Sequence, residues 1–209
     1  MSRFGWWWVS AVCNPPEAYR SLFRSAVESV QHDPQVQALL RTWRPESSIV
    51  TAAYEPCRGR SLHLLGPASR LEELAWRTHL DEELVTSLGI EVLGHDDRTL
   101  QTFVGTRKLS PFSCLLYGVG PTRADALPGF LGSMLLSADE LQAVLPAISA
   151  ALVPPPDERE RVLGRMAAWL AVVSDAADTD PAEILDALPV MADRAAQRDI
   201  ELLAARVDL

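Results

Sequence analysis

The apolar run over residues 4–12, with its three consecutive tryptophans, is the segment that most constrains how this chain can fold. Alternate side chains of a β-strand point to opposite faces of the sheet. Both faces of this run are apolar, since one would carry Phe4, Trp6 and Trp8 and the other Trp7, Val9 and Ala11. A strand of this kind has to be covered on both sides. The run therefore predicts a central strand in a sheet that has helices packed around it.

Helices and further strands are predicted up to residue 120. Asn14, Pro15 and Glu17 are typical of a helix start, and apolar residues follow at helical spacing as far as Val30. Short β-prone segments bounded by glycine and proline predict four additional strands, over residues 48–54, 90–93, 99–104 and 113–119. The second and third of these would form a hairpin.

The pattern becomes helical beyond Ser137, which forms a capping box with Glu140. The last run, residues 200–207, fits a helix by its leucine and alanine content and equally fits a buried strand. The predicted fold class is α+β. We expect a mixed sheet built from strands in residues 4–120 and packed by helices, followed by a helical C-terminal third with a possible terminal strand.

Length predicts a single domain over residues 1–209, with a sub-boundary at the proline-rich break of residues 153–156. The charge distribution also changes at this break. The chain has 28 acidic and 19 basic residues, a net charge of −9, and residues 153–209 carry −6 of it. Net negative charge opposes binding to phosphate backbones, and no apolar run reaches the roughly 20 residues of a membrane span. We expect neither nucleic acid nor membrane as a partner.

The cysteines favour a reducing compartment. Cys13, Cys57 and Cys114 are more than forty residues apart and have no CxxC or Cys–His spacing, so neither a disulfide framework nor a zinc site is predicted. The N-terminal apolar run is short and is followed by Asn14 and two prolines rather than by a small-residue cleavage site, which is not typical of a secretory signal. We expect a cytoplasmic location.

A few side chains are candidates for chemistry, each with a plain structural alternative in a turn or in the core. Cys57 lies beside Arg58, which could lower the pKa of a thiol, and His95 lies beside Asp96, which could orient a general base. The catalytic candidates are His63, His95 and Cys57, and the ligand-binding candidates are Trp6, Trp8, Arg58 and Tyr117. The common nucleotide-binding, hydrolase and metalloprotease motifs are absent from the sequence, so we predict no cofactor and no metal site.

Three separate segments carry a family resemblance: residues 62–66 (Leu-His-Leu-Leu-Gly), residues 136–141 (Leu-Ser-Ala-Asp-Glu-Leu) and residues 195–203. Together with the opening strand and helix, they resemble the YfbM-like family of small uncharacterised bacterial proteins. The resemblance implies a single α+β domain and a strand at residues 200–207. It implies no activity.

Two functions remain open. The acidic helical C-terminal third, the aromatic residues and the lack of a catalytic motif favour a protein-binding module, of an immunity or accessory type, whose partner is a basic protein. The alternative is a small-molecule biosynthetic enzyme or a ligand-binding protein. Its pocket would lie between the sheet and the glycine- and proline-rich residues 118–132, and tryptophan, histidine and arginine side chains would line it.

Overall fold

The structure, a computed structural model, describes residues 4–12, 15–43, 53–56, 62–65, 67–78, 80, 100–107, 110–172 and 179–208. The strands in these ranges are β1 (Phe4–Val12), β2 (Ala53–Pro56), β3 (Leu62–Leu65), β4 (Gln101–Arg107), β5 (Met134–Leu136) and β6 (Glu201–Asp208). The helices are α1 (Glu17–Gln31), α2 (Pro34–Trp43), α3 (Pro67–Arg77), α4 (Pro111–Val119), α5 (Pro121–Ala124), α6 (Ala138–Leu152), α7 (Pro156–Val172) and α8 (Pro181–Gln197). None of these helices is long and apolar enough to cross a membrane.

Four strands form a sheet in the order β4–β1–β6–β5, and β2 pairs with β3 in a separate two-stranded sheet. The central position predicted for residues 4–12 is confirmed, since Trp7 lies opposite Val104 of β4 and Arg206 of β6. The α+β class is also confirmed. All described strand pairs are antiparallel, however, whereas we expected a mixed sheet. Burial of both faces is commonest in parallel sheets, but here helices cover both faces of an antiparallel one.

The sheet separates two groups of buried apolar side chains. On one face Trp7 contacts Phe112 of α4 edge-to-face at 5.6 Å, and its indole N–H donates to the Gly132 carbonyl at 3.0 Å. This face also packs against α6 and α8. On the opposite face Trp8 packs with Phe23 of α1. Burying one tryptophan removes roughly 200 Å² from water, on the order of 5 kcal/mol by area, so a one-residue shift in the register of β1 would be costly.

Residues 113–119 form most of α4, so the strand predicted there is wrong. Ser110 caps the helix by accepting a hydrogen bond from the Phe112 N–H at 3.3 Å, and Pro111 takes the first helical position. At the other end Gly120 adopts φ +81°, which ends the helix. Every residue of α4 is buried. A helix that is apolar all round has no amphipathic period, and its sequence therefore resembles that of a buried strand.

Helix α1 begins at Glu17 rather than directly after Asn14, where the sequence predicted the cap. Pro16 is the cap residue, with φ −53° and ψ 140°, and no side chain caps the helix. A residue that precedes a proline is held out of the helical region. Because Pro15 precedes Pro16, it is held out of the helix, and Pro16 becomes the cap residue directly before Glu17. Asn14 lies outside the described residues.

Two features predicted after residue 136 are confirmed: the capping box of Ser137 and Glu140, and the strand alternative for residues 200–207. Ser137 accepts a hydrogen bond from the Glu140 N–H at 3.3 Å, and the Glu140 carboxylate accepts one from the Ser137 N–H at 2.8 Å. That backbone hydrogen bond lowers the pKa of Glu140. Residues 200–207 supply most of β6, which lies between β1 and β5. The strand predicted over residues 90–93 lies outside the described residues.

Candidate functional site

A groove runs along the surface between β4, at the edge of the four-stranded sheet, and helix α8. Its volume is about 360 Å³. The groove, which we call the β4–α8 groove, is lined by Gln101, Thr102, Phe103 and Val104 of β4 and by Glu183, Asp186, Ala187, Val190, Met191 and Arg194 of α8. Apolar and charged side chains therefore lie together beside an edge strand.

Two local features place α8 alongside β4. Asp180 caps the helix by accepting a hydrogen bond from the Ala182 N–H at 2.9 Å, and Pro181 takes the first helical position. Directly before this cap, the Thr179 hydroxyl donates to the Gly105 carbonyl of β4 at 3.2 Å. The start of α8 thus lies near the end of β4, so the helix and the strand run in opposite directions.

One charged residue of the groove is paired with the neighbouring helix α7. Asp186 accepts two hydrogen bonds from Arg159 of α7, at 2.8 and 2.7 Å, and hydrogen bonding to Asp186 raises the pKa of Arg159. Glu183 and Arg194 are exposed and lie towards opposite ends of the helix. Val190 of α8 is also well exposed, at 41%. Phe103 is 51% exposed, but its ring lies on the other face of the sheet, stacked on Trp8.

The outer sides of α7 and α8 carry an acidic surface, which we define as Asp157, Glu160, Asp186 and Asp193. Three of these residues are exposed, and Asp186 is half-buried. Asp186 and Asp193 are seven residues apart, so they share one side of α8, and Arg159 places this side next to α7. The opposite sides of both helices are apolar and buried. By sequence, α7 has three acidic and three arginine residues and α8 three acidic residues and one arginine, so the two helices carry −2 of the −6 of residues 153–209.

An aromatic row lies on the side of the sheet that α1 covers, and it consists of Trp6, Trp8 and Phe103. Trp8 stacks on Phe103 with ring centroids 5.8 Å apart and planes 6° apart. Trp6 lies across Gly105, where an added Cβ would come within 2.6 Å of the indole ring. Glycine is therefore the residue that fits opposite Trp6 in the register. The indole N–H groups of Trp6 and Trp8 have no hydrogen-bond partner among the described residues.

A buried carboxyl group, which the sequence did not single out, lies between α3 and α4. Glu72 accepts a hydrogen bond from the Ser110 N–H at 2.9 Å and closely contacts the Ser113 hydroxyl. The same hydroxyl donates to the Ser110 carbonyl at 2.8 Å. Because a hydroxyl has one proton, both contacts are satisfied when Glu72 is protonated and donates to Ser113. Burial raises the pKa of Glu72 to about 7.

Cys114, next to Ser113 in the sequence, is the one cysteine among the described residues and is buried. Burial, with a further contribution from the charge of Glu72, raises the pKa of the Cys114 thiol. A thiol of this kind is protonated near neutral pH and is a poor nucleophile. The Glu72–Cys114 region is therefore buried between α3 and α4 and exposes no reactive group.

A buried guanidinium group caps the C-terminal end of α3. Arg206 of β6 donates to the Thr78 hydroxyl and to the Thr78 carbonyl, both at 2.6 Å, and to the Ala75 carbonyl at 3.2 Å. It also lies 4.8 Å from the centroid of the Phe112 ring. Burial lowers the pKa of Arg206 to about 9. Carbonyls at a helix C-terminus lack intrahelical donors and carry partial negative charge, which accounts for a cation at this place.

The predicted site residues do not come together in the described structure. Trp6 and Trp8 lie in the aromatic row, whereas Tyr117 is buried in α4 on the other side of the sheet, against Trp169 at 4.6 Å. His63 is in β3, opposite Glu55. Cys57, Arg58 and His95 lie outside the described residues. Within the described ranges, no group of three or more His, Cys, Asp or Glu residues is arranged to hold a metal ion.

Neither the family models, the curated proteins nor the solved structures contain a match to this chain. The resemblance to the YfbM-like family therefore stays a prediction. The functional argument rests on the β4–α8 groove, the acidic surface and the aromatic row.

Proposed function

We propose that this chain is a cytoplasmic protein-binding module, of an immunity or accessory type, that binds a basic protein through its acidic surface. The observation that best supports the proposal is the segregation of charge on α7 and α8. Asp157, Glu160 and Asp193 are exposed, while the opposite sides of the same helices fill the core. An acidic patch attracts a basic partner over several ångströms and speeds its association.

Two acidic residues of these helices are paired within the chain. Arg159 compensates Asp186 within the chain, and Arg123 compensates Glu158 at the inner edge of α7. Asp157 and Glu160 are exposed on the same helix as Arg159 and Glu158. Arginine or lysine side chains of a partner could approach them without first displacing either ion pair.

The geometry gives less support to the small-molecule alternative. The groove that borders residues 118–132, beside Gly129 and Met134, includes neither tryptophan nor histidine in its described lining, and neither does the β4–α8 groove. Tyr117 lies on the other side of the sheet from Trp6 and Trp8. A shared pocket of these three residues would require the sheet to be rearranged.

Affinity capture from the source cell at low ionic strength tests the proposal. We expect the wild-type chain to capture a basic protein at a fixed stoichiometry, and the variant Asp157→Lys with Glu160→Lys to lose it. The matched control is Asp139→Lys with Glu28→Lys, which changes the charge equally, also places one lysine in the first turn of a helix, and should keep the partner. Equal capture by both variants, or no stoichiometric partner at all, would contradict the proposal.

A further inference from the structure

A second surface groove lies between α1 and β5, the strand at the other edge of the four-stranded sheet. Its volume is about 180 Å³, and we call it the α1–β5 groove. Residues 23, 24, 27 and 28 of α1 and residues 129 and 133–136 line it, and the structure describes all of them. Most of this lining is apolar, with Phe23 and Val27 on the helix and Leu135 on the strand.

The backbone N–H and C=O of Leu135 point away from the sheet at this edge. Ser133 exchanges two hydrogen bonds with Phe130, at 2.9 and 3.0 Å, so its backbone groups are directed away from β6. Backbone groups alternate between the two edges of a strand. Those of Met134 and Leu136 therefore point towards β6, which pairs with both residues, and those of Leu135 point outward.

The open stretch of this edge is one residue long. In the part of the chain that the structure describes, no backbone group pairs with the outward N–H and C=O of Leu135. Phe130 satisfies Ser133, two residues earlier. Two residues later, the Ser137 N–H donates to Glu140 at 2.8 Å, and its carbonyl accepts from the Leu141 N–H at 2.8 Å. An added peptide strand gains affinity from several main-chain hydrogen bonds, so this edge suits a small molecule better than a peptide.

Ser133 contributes a buried hydroxyl on the groove side of the strand. Alternate side chains share a face, so Ser133 points to the same side as Leu135, whose side chain packs with Phe23 of α1. Ser133 is 2% exposed, and its Oγ has no hydrogen-bond partner within the described ranges. Buried polar groups are normally hydrogen-bonded, and an unpaired one costs free energy. A ligand in the groove can supply the missing partner.

Charge and size define the ligand further. The lining has one base, Arg24, and one acid, Glu28, which are both exposed and four residues apart on α1. Its formal charge is therefore zero, which favours a neutral ligand over an ion. A dry cavity of about 150 Å³ holds a benzene molecule. The α1–β5 groove thus has room for a single small ring, which its apolar side chains can contact.

We propose that the α1–β5 groove binds a small neutral cyclic amide. A ring holds the amide in the cis form, so its N–H and C=O lie on one side and exchange two hydrogen bonds with the backbone of Leu135. The amide oxygen has a second lone pair, to which the Ser133 hydroxyl donates. The ring carbons pack against Phe23 and Val27. The groove shares no residue with the acidic surface, so this inference does not depend on the proposed function.

Amide NMR spectra of the isotope-labelled full chain, recorded as δ-valerolactam is added, test the inference. We expect saturable shifts centred on the Leu135 amide, with a dissociation constant on the order of millimolar for a ligand of about seven non-hydrogen atoms. N-methyl-δ-valerolactam keeps the ring and lacks the donor. It should bind about tenfold or more weakly, because it leaves the Leu135 carbonyl unpaired. Equal binding of the two lactams, or shifts that do not include Leu135, would overturn the inference.

Ser133→Ala provides a second, independent test. We expect it to weaken δ-valerolactam binding about threefold to tenfold, by the loss of one hydrogen bond. It should not lower the stability to urea, since the hydroxyl has no partner among the residues that the structure describes. Ser25→Ala, on the exposed side of α1, is the matched control and should bind like wild type. A Ser133→Ala variant with wild-type affinity for the lactam would refute the assigned site.

Discussion

Replacing Glu72 with glutamine isolates the energetic effect of a carboxyl group that is 8% exposed. Burial raises the pKa of Glu72 from its ordinary value of 4.5 to about 7. Between these values the folded protein retains a proton that the unfolded chain has lost, so the free energy of unfolding falls as pH rises from 4.5 to about 7. Each pKa unit corresponds to about 1.4 kcal/mol, and the loss therefore amounts to about 3 kcal/mol.

Glutamine should remove this pH dependence without removing the contacts. Its amide N–H can donate to Ser113 as the protonated acid does, and its carbonyl can accept from the Ser110 N–H. At pH 8 we expect Glu72→Gln to be more stable than wild type by about 3 kcal/mol, and at pH 4.5 the two should agree within about 1 kcal/mol.

Urea unfolding followed by tryptophan fluorescence at several pH values between 4.5 and 8 measures the difference. Glu73→Gln is the matched control, since Glu73 is exposed and pairs with Arg77 at 2.9 Å on the same helix. It should shift stability by less than about 1 kcal/mol with little pH dependence. A Glu72→Gln variant that differs from wild type by the same amount at every pH would refute the reasoning.

Three further substitutions test the packing and the caps by the free energy of unfolding in urea. Gly105→Ala should cost about 1–3 kcal/mol, because its Cβ would lie 2.6 Å from the Trp6 ring; a neutral effect would mean that Trp6 does not lie across Gly105. Ser137→Ala should cost about 1 kcal/mol by removing the cap of α6, whereas the same change at exposed Ser21, in the interior of α1, should cost nothing. Arg20→Met should cost about 2 kcal/mol or more, since it leaves the Glu201 carboxylate, which is 11% exposed, without its ion-pair partner; a loss below about 0.5 kcal/mol would show that water already compensates Glu201.

The tryptophan run illustrates what could be predicted from the sequence. Its alternation places Trp7 and Trp8 on opposite faces, and burial of both faces follows directly from their size and polarity. The cap at Ser137 is equally local, because both of its hydrogen bonds join residues three apart. Features of this kind can be predicted from neighbouring residues alone, without knowing which distant segments of the chain contact each other.

The features that sequence analysis missed depend on distant segments. Glu72 and Glu73 are adjacent and chemically alike, yet Glu72 is buried because α4 packs over it, and the residues of α4 lie about forty positions later. Arg206 lies in an apolar run, and its donors are matched by carbonyls near Thr78. The β4–α8 groove likewise forms only when residues 101–104 and 183–194 come together. No periodicity in either segment indicates that contact.

The salt dependence of partner binding tests the central claim most directly. With the captured protein in hand, its dissociation constant is measured for wild type and for Asp157→Lys with Glu160→Lys, between about 0.05 and 0.3 M salt, where screening of exposed charges strengthens. We predict that wild-type binding weakens about tenfold or more over this range and that the variant binds weakly throughout. Equal affinity of the two proteins at every salt concentration would contradict the assignment of the acidic surface as the binding surface.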